Sequence, residues 1–291
     1  MIEIQNSIGI AGAGRVARAL GRLLVAAGEP VACVASRDLR HAGDAAELLG
    51  PDVRAVPYSE LPRTVARILI AVPDRAITEV AQVLAKASAV QIALHTCGTR
   101  GTDALAPLQS IGVACGTLHP LQTFTTGAQL RGCAFAIWGD PAAVTWAERI
   151  ATLAHGDVLR IPCELRPLYH AAAVMTSNYL TALVDAGQTL MQQCGVDPHA
   201  ALHALGPLLR ASLENALAHG PVQALTGPIE RGDVETVAAH LTALSTAPPR
   251  IRNLYRSAGL HTVDLARRRG LSPDVAGDLD RLLSPNETHG N

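Results

Sequence analysis

Gly12, Gly14 and Ala17 stand in the spacing Gly-x-Gly-x-x-Ala. The apolar run 8–11 precedes them, and Val16, Leu20, Leu23, Leu24 and Ala27 follow at helical spacing. At a strand-to-helix turn these residue types suit anion binding. The first glycine permits the tight turn, the second lets a pyrophosphate approach the backbone, and a small third residue lets helix and strand pack closely. The helix N-terminus adds free N–H groups and the positive end of a dipole. Gly12, Gly14, Arg15 and Val16 are therefore expected to hold the phosphates of a dinucleotide. About twenty residues on, a second apolar run ends in Ser36-Arg37-Asp38. An acidic residue there would take the ribose 2′-hydroxyl of NAD, whereas Ser36 and Arg37 suit the 2′-phosphate of NADP. The pair favours NADP over NAD, with Asp38 as the counter-indication.

Further polar clusters fall where apolar runs end. Val72-Pro73-Asp74 would pass the nicotinamide ribose, since proline cannot continue a hydrogen-bond ladder and suits a strand exit. Asp74 reads as a helix cap. His95-Thr96-Cys97-Gly98 and His119-Pro120-Leu121-Gln122 close the next two strands. The carboxyl ends of parallel strands face the crevice where ligands bind, which places Thr96 and Gly98 beside the cofactor and His119 and Gln122 beside a substrate. A later helical stretch carries Arg166, His170, Ser177, Thr181 and Gln188 along one stripe, with Asn178 adjoining. A histidine is suited to proton transfer near neutral pH. His170 is the first candidate, with Ser177 and Asn178 as orienting hydrogen-bonders and His119 as the second candidate. Arg231 could pair bidentately with a substrate carboxylate, and Asp233 reads as a helix cap.

These residues need an α/β frame. Apolar runs at 8–11, 31–35, 53–56, 68–72, 90–94, 113–118, 135–138 and 157–161, several separated by helical patterns, indicate a parallel sheet covered on both faces. After Pro162 the pattern becomes helical. One long helix is expected over 164–194, then helices over 198–205, 207–218, 234–244, 249–269 and 274–283. The expected division is a Rossmann-like NAD(P)-binding domain over 1–161 and an all-α substrate and dimerisation domain over 162–291.

Composition narrows the class. A net charge of −1 with dispersed arginines argues against a nucleic-acid surface, as does the 3% aromatic content. No apolar run approaches the ~20 residues that span a bilayer, and the N-terminus carries no secretory pattern, so a cytoplasmic protein is expected. Six widely spaced cysteines without Cys-x-x-Cys read as reduced, buried thiols. His199 and His203 lack the further ligands of a metal site and read as a helix surface. No metal is expected. Lys86 is the only lysine, which removes that side chain from most mechanisms.

Across nearly its full length the chain resembles predicted bacterial oxidoreductases that join a Rossmann-like domain to a DUF2520 domain. The resemblance rests on the segments 12–17, 72–74, 95–98, 118–124, 168–179, 226–233 and 255–266, above all His-Pro-Leu-Gln-Thr-Phe and Thr-Gly-Pro-Ile-x-Arg-Gly-Asp. More distantly it is similar to 6-phosphogluconate, β-hydroxyacid and pyrroline-5-carboxylate reductase-like enzymes. The resemblance implies NADP-dependent redox chemistry on a small molecule and a homodimer formed by the helical domain. β-Hydroxyacid dehydrogenases place a catalytic lysine on the long interdomain helix. Here that helix has none, and His170 or Arg166 stands in the region. The expected activity is reduction or oxidation of a small polar carbonyl or imine, a 2-oxo acid among them, with a deazaflavin acceptor as a subordinate option. The alternative is a non-catalytic NADP(H) sensor, which would bind NADPH without turnover. A methyltransferase, opposed by Arg37 and the helical half, would prefer S-adenosylmethionine.

Overall fold

The structure, a computed structural model, describes residues 6–87, 89–125 and 127–284. By contact density the chain divides into two compact units, one up to Asn178 and one from Tyr179. The 3-10 turn Cys163–Leu165 and the helix after it therefore group with the sheet.

In the first unit, apolar runs alternate with helices. β1 (Ile8–Ala11) passes through the glycine turn into α1 (Arg15–Ala26), then come β2 (Val31–Ala35), α2 (Leu39–Leu49), β3 (Arg54–Val56) and α3 (Leu61–Thr64). β4 (Arg67–Ile70), α4 (Ile77–Leu84), β5 (Ile92–His95), α5 (Ala106–Gln109) and β6 (Ala114–Pro120) follow. β7 (Phe135–Gly139), α6 (Pro141–Leu153), β8 (Val158–Leu159) and α7 (Arg166–Thr176) complete it. Among the described residues the sheet has the order β3-β2-β1-β4-β5-β6-β7-β8. Every residue of β1 and β2 is buried, as a strand covered on both faces requires. One core cluster joins Leu20 and Leu24 of α1 to Trp146 and Ile150 of α6. The other joins Leu61, Ile77, Val80 and Leu84 to the opposite face. Strand order reverses between β1 and β4, and this opens a crevice at their carboxyl ends.

The sheet is not wholly parallel. β7 runs antiparallel to β6, with His119 opposite Ala136, because the chain folds straight back: the Leu121 N–H bonds the Ala134 carbonyl at 2.8 Å. The helix expected over 164–194 is two, α7 and α8 (Asn178–Gln193), interrupted at Ser177. There the Thr176 hydroxyl bonds back to the Ala172 and Ala173 carbonyls, a local competitor of helical pairing. Conversely, 198–205 and 207–218 form a single helix, α9 (Pro198–His219), with Pro207 inside it. Gly206, lacking a Cβ, relieves the steric penalty that a proline imposes on its predecessor.

The second unit continues with α10 (Pro221–Ala224), α11 (Val234–Ala243), α12 (Pro249–Arg269) and α13 (Pro273–Leu283). Its core is small: Ile229, Val237, Val263, Ala266, Ala276, Leu279 and Leu283. α8 and α9 each bury only one residue fully, Ala186 and Ala201. Four cysteines are buried, but Cys163 and Cys194 are exposed, because their helical stretches leave much of their surface uncovered. No helix among the described residues is long and apolar enough to cross a membrane.

Candidate functional site

The β1–α1 turn shapes the first cleft, a cavity of about 480 Å³. Gly12 has φ +125°, a conformation open mainly to glycine, and a Cβ there would collide with the Ala71 carbonyl of the neighbouring strand end. At Gly14 a Cβ would meet nothing within 4 Å, so the backbone is open to a ligand. α1 begins with no side-chain cap and no acidic residue in its first turn, which leaves its first N–H groups available to an anion. Ser36, Arg37, Val72 and Pro73 line the same cavity, together with Arg18, His41 and Tyr58. Asp38 is engaged elsewhere. Its carboxylate caps α2 by accepting from the Arg40 N–H at 2.9 Å and also pairs with the Arg40 guanidinium, which holds it below the usual carboxylate range. The chemistry of this lining fits a dinucleotide bearing a 2′-phosphate.

Arg15 and Val16 do not line that cavity. The Arg15 guanidinium donates to the Phe124 carbonyl at 2.9 Å and lines an adjoining cavity with Arg18 and Arg22. Val16 packs against the core. Thr96 continues the strand ladder, its N–H bonded to the Ile70 carbonyl. Gly98 backs onto His119, where a Cβ would lie 2.8 Å from Nε2. Asp74 opens a 3-10 turn after Pro73 and makes no capping bond, since proline occupies the cap position itself.

The second cleft, about 410 Å³, gathers His119, Gln122, His170, Ser177 and Asn178. β6 delivers His119, and α7 with its interruption delivers His170, Ser177 and Asn178. The two imidazole rings lie 6.0 Å apart. Desolvation, and then the facing His170, push His119 down to about 4, and the Asp74 charge opposes this. The Gln122 side-chain carbonyl accepts from the Thr123 N–H at 2.8 Å. Tyr169, which the sequence did not single out, puts its hydroxyl 2.8 Å from His119 Nδ1. No periodicity marks that bond, since the partners are 50 residues apart. Arg18, His41 and Tyr58 also escaped notice, because the faces of α1 and α2 and the turn after β3 carry no motif.

Three other polar residues do structural work. His95 is fully buried; its Nδ1 accepts from the Cys97 N–H and its Nε2 donates to the Gly101 carbonyl. Burial pushes it down to about 4. Arg166 lies over the Trp138 ring at 5.0 Å. Asp233 caps α11 through the Thr236 N–H. Arg231 is exposed in the second unit. Among the described residues no group of three or more His, Cys, Asp or Glu side chains could hold a metal ion.

Comparison with known proteins bears on the fold and the domains. Residues 2–120 match the model of a Rossmann-like domain, and residues 133–262 match that of a domain of unknown function, DUF2520. The chain thus joins a Rossmann-like domain to a DUF2520 domain. No curated protein sequence matches it. Among solved structures, a candidate NADP oxidoreductase from Bacteroides fragilis superposes with a TM-score of 0.69 at 21% identity, over 91% of this chain and 98% of that one. A reductive aminase from Aspergillus terreus, solved with NADPH and ethyl-5-oxohexanoate, gives 0.60 at 16% identity, over 96% and 92%. A pyrroline carboxylate reductase from Plasmodium falciparum with NADP bound gives 0.62 at 12%, over 97% and 99%. At these identities the likeness is one of fold.

Proposed function

We propose that the protein is an NADP-dependent oxidoreductase acting on a small polar carbonyl or imine compound. One observation carries this reading: Val72 and Pro73, just past β4, line the glycine-turn cleft, and His119, near the end of β6, lines the second, so the two clefts lie at the carboxyl ends of strands in one sheet. The likeness in fold to a reductive aminase solved with NADPH and to a pyrroline carboxylate reductase solved with NADP supports it.

Gly12, Gly14 and the start of α1 would hold the pyrophosphate, and Ser36 and Arg37 the 2′-phosphate. Val72 and Pro73 would border the nicotinamide end, with the Thr96–Gly98 backbone nearby. When bound, the nicotinamide supplies the hydride that adds to the substrate carbon. The protein must then deliver one proton to the carbonyl oxygen or imine nitrogen. His119, held neutral, is a poor source, which leaves His170 as the acid. Ser177, Asn178 and Gln122 orient the substrate by hydrogen bonds. Arg231, on the second unit, is not needed for this reading. We further propose that the protein works as a homodimer built by its helices.

The test is NADPH oxidation with a panel of aldehydes, ketones, 2-oxo acids and cyclic imines, with and without an amine. Turnover with a carbonyl or imine member supports the proposal. Tight NADPH binding with no turnover across the panel favours a cofactor sensor instead.

A further inference from the structure

The pairing of Tyr169 with His119 goes one step beyond the proposed chemistry and rests on it for the substrate alone. Tyr169 opens toward β6 from the first turn of α7, and three contacts hold it there. Its hydroxyl lies 2.8 Å from His119 Nδ1, its ring meets the imidazole edge-on at 5.6 Å, and the Trp138 ring stands against it at 6.1 Å. Trp138 is fixed in turn by its indole N–H on the Ile161 carbonyl and by the Arg166 guanidinium over its face. The phenol thus has little freedom to leave the imidazole. Gly98 packs over the face of the ring: a Cβ there would lie 2.8 Å from Nε2 and 2.9 Å from both Cδ2 and Cε1, so only the absence of a side chain leaves room for the imidazole.

We propose that Tyr169 is a positioning residue: its hydroxyl donates to His119 Nδ1, fixing the ring as the Nε2–H tautomer and making His119 a neutral hydrogen-bond donor rather than a proton source. Two facts support the direction of that bond. Burial pushes the phenol up to about 12, so it keeps its proton throughout the neutral range. The imidazole, pushed down to about 4, offers Nδ1 as an acceptor. The charged and titratable groups acting on the ring are His170, Asp74 and His95; of these only Asp74 favours a second proton. A neutral Nε2–H can polarise a carbonyl oxygen or hold an imine substrate's polar group while His170 supplies the proton. The pair of histidines then divides the labour instead of duplicating it.

The assignment is testable without a substrate. Nitrogen-15 spectra of the histidine rings, with His119 identified through His119→Gln, should show one tautomer protonated at Nε2 from pH 5 to 8. In Tyr169→Phe the same ring should become a mixture of tautomers while circular dichroism and NADPH affinity stay unchanged. A wild-type ring protonated at Nδ1, or a Tyr169→Phe ring identical to wild type, overturns the proposal. Once a substrate is found, His119→Gln, which keeps an amide N–H near the Nε2 position, should retain at least a tenth of kcat, and Tyr169→Phe should lower kcat with little change in KM. Loss of more than a hundredfold in His119→Gln, with its fold and NADPH binding intact, would return the proton to His119. Absence of NADPH binding in the wild type would count against the oxidoreductase reading, yet leave the tautomer result standing.

Discussion

Two residues carry most of the proposed specificity and chemistry, and each makes a measurable difference. Arg37 lines the first cleft beside Ser36, while Asp38 is occupied by α2 and Arg40. The one carboxylate that would have argued for NAD is thereby removed from the competition. NADPH should bind at least tenfold more tightly than NADH, a difference of about 1.4 kcal/mol and within reach of one charge-assisted contact. Arg37→Ala should remove most of that preference in calorimetric titrations. Equal affinities in the wild type would end the NADP assignment. His170 stands in the other cleft, on α7, away from the glycine turn. His170→Ala should leave NADPH affinity within a few-fold of wild type and lower turnover by about 10²-fold or more, the usual contribution of a general acid. Near-normal turnover in that variant would dismiss it as the acid.

At the scale of elements, the strand ends are where order and chemistry meet, and the β5 exit shows this best. His95 ends β5 and bridges two backbone groups of the loop that follows it, the Cys97 N–H and the Gly101 carbonyl. That loop carries Gly98, which backs onto His119. The folded state holds His95 near pH 4, below the ~6.5 of an unfolded chain, so between those values the unfolded state binds more protons. Stability is thus fully present above about pH 6.5 and is lost as pH falls toward 4, by on the order of 3 kcal/mol for this one group. His95→Gln cannot titrate. It should be weaker than wild type at pH 7.5, yet lose less between pH 7.5 and 5 in urea unfolding. Parallel pH slopes for the two proteins would show that His95 is not the cause. Much of this scale was legible in the chain itself: β1, β2 and α12 fall where apolar periodicity places them, because each is a continuous pattern bounded by glycine or proline. The break at Ser177 and the unbroken α9 were not, since both turn on one residue's local bonding rather than on a pattern. The histidine cleft was readable from strand exits and a polar helix stripe. Tyr169 was not, because its partner lies on another element.

For the whole molecule, the distribution of apolar surface raises a question that neither unit answers alone. The sheet unit has two well-filled cores. The helical stretch is different: Leu168, Met175, Tyr179, Leu183, Leu208, Leu213 and Leu217 are all exposed, with Leu217 reaching 78%. On α9, which runs for 22 residues, only Ala201 is fully buried. A helix of that length normally owes its stability to a packed apolar face, and exposed apolar surface on this scale marks an interaction site. Within the second unit, Tyr179 and Leu183 of α8 and Leu208, Leu213 and Leu217 of α9 are all exposed, and a second copy of the same chain would supply a matching helical face by two-fold symmetry. Sedimentation or light scattering at micromolar concentration should therefore give twice the mass of the 30.3 kDa chain. Leu213→Glu together with Leu217→Glu places charge on adjacent turns of α9 and should yield monomers, with Tm depressed because the helix loses its cover. NADPH affinity should survive this change, since Gly12, Gly14, Ser36 and Arg37 all belong to the first unit. A wild type that stays monomeric across that concentration range would reject the dimer.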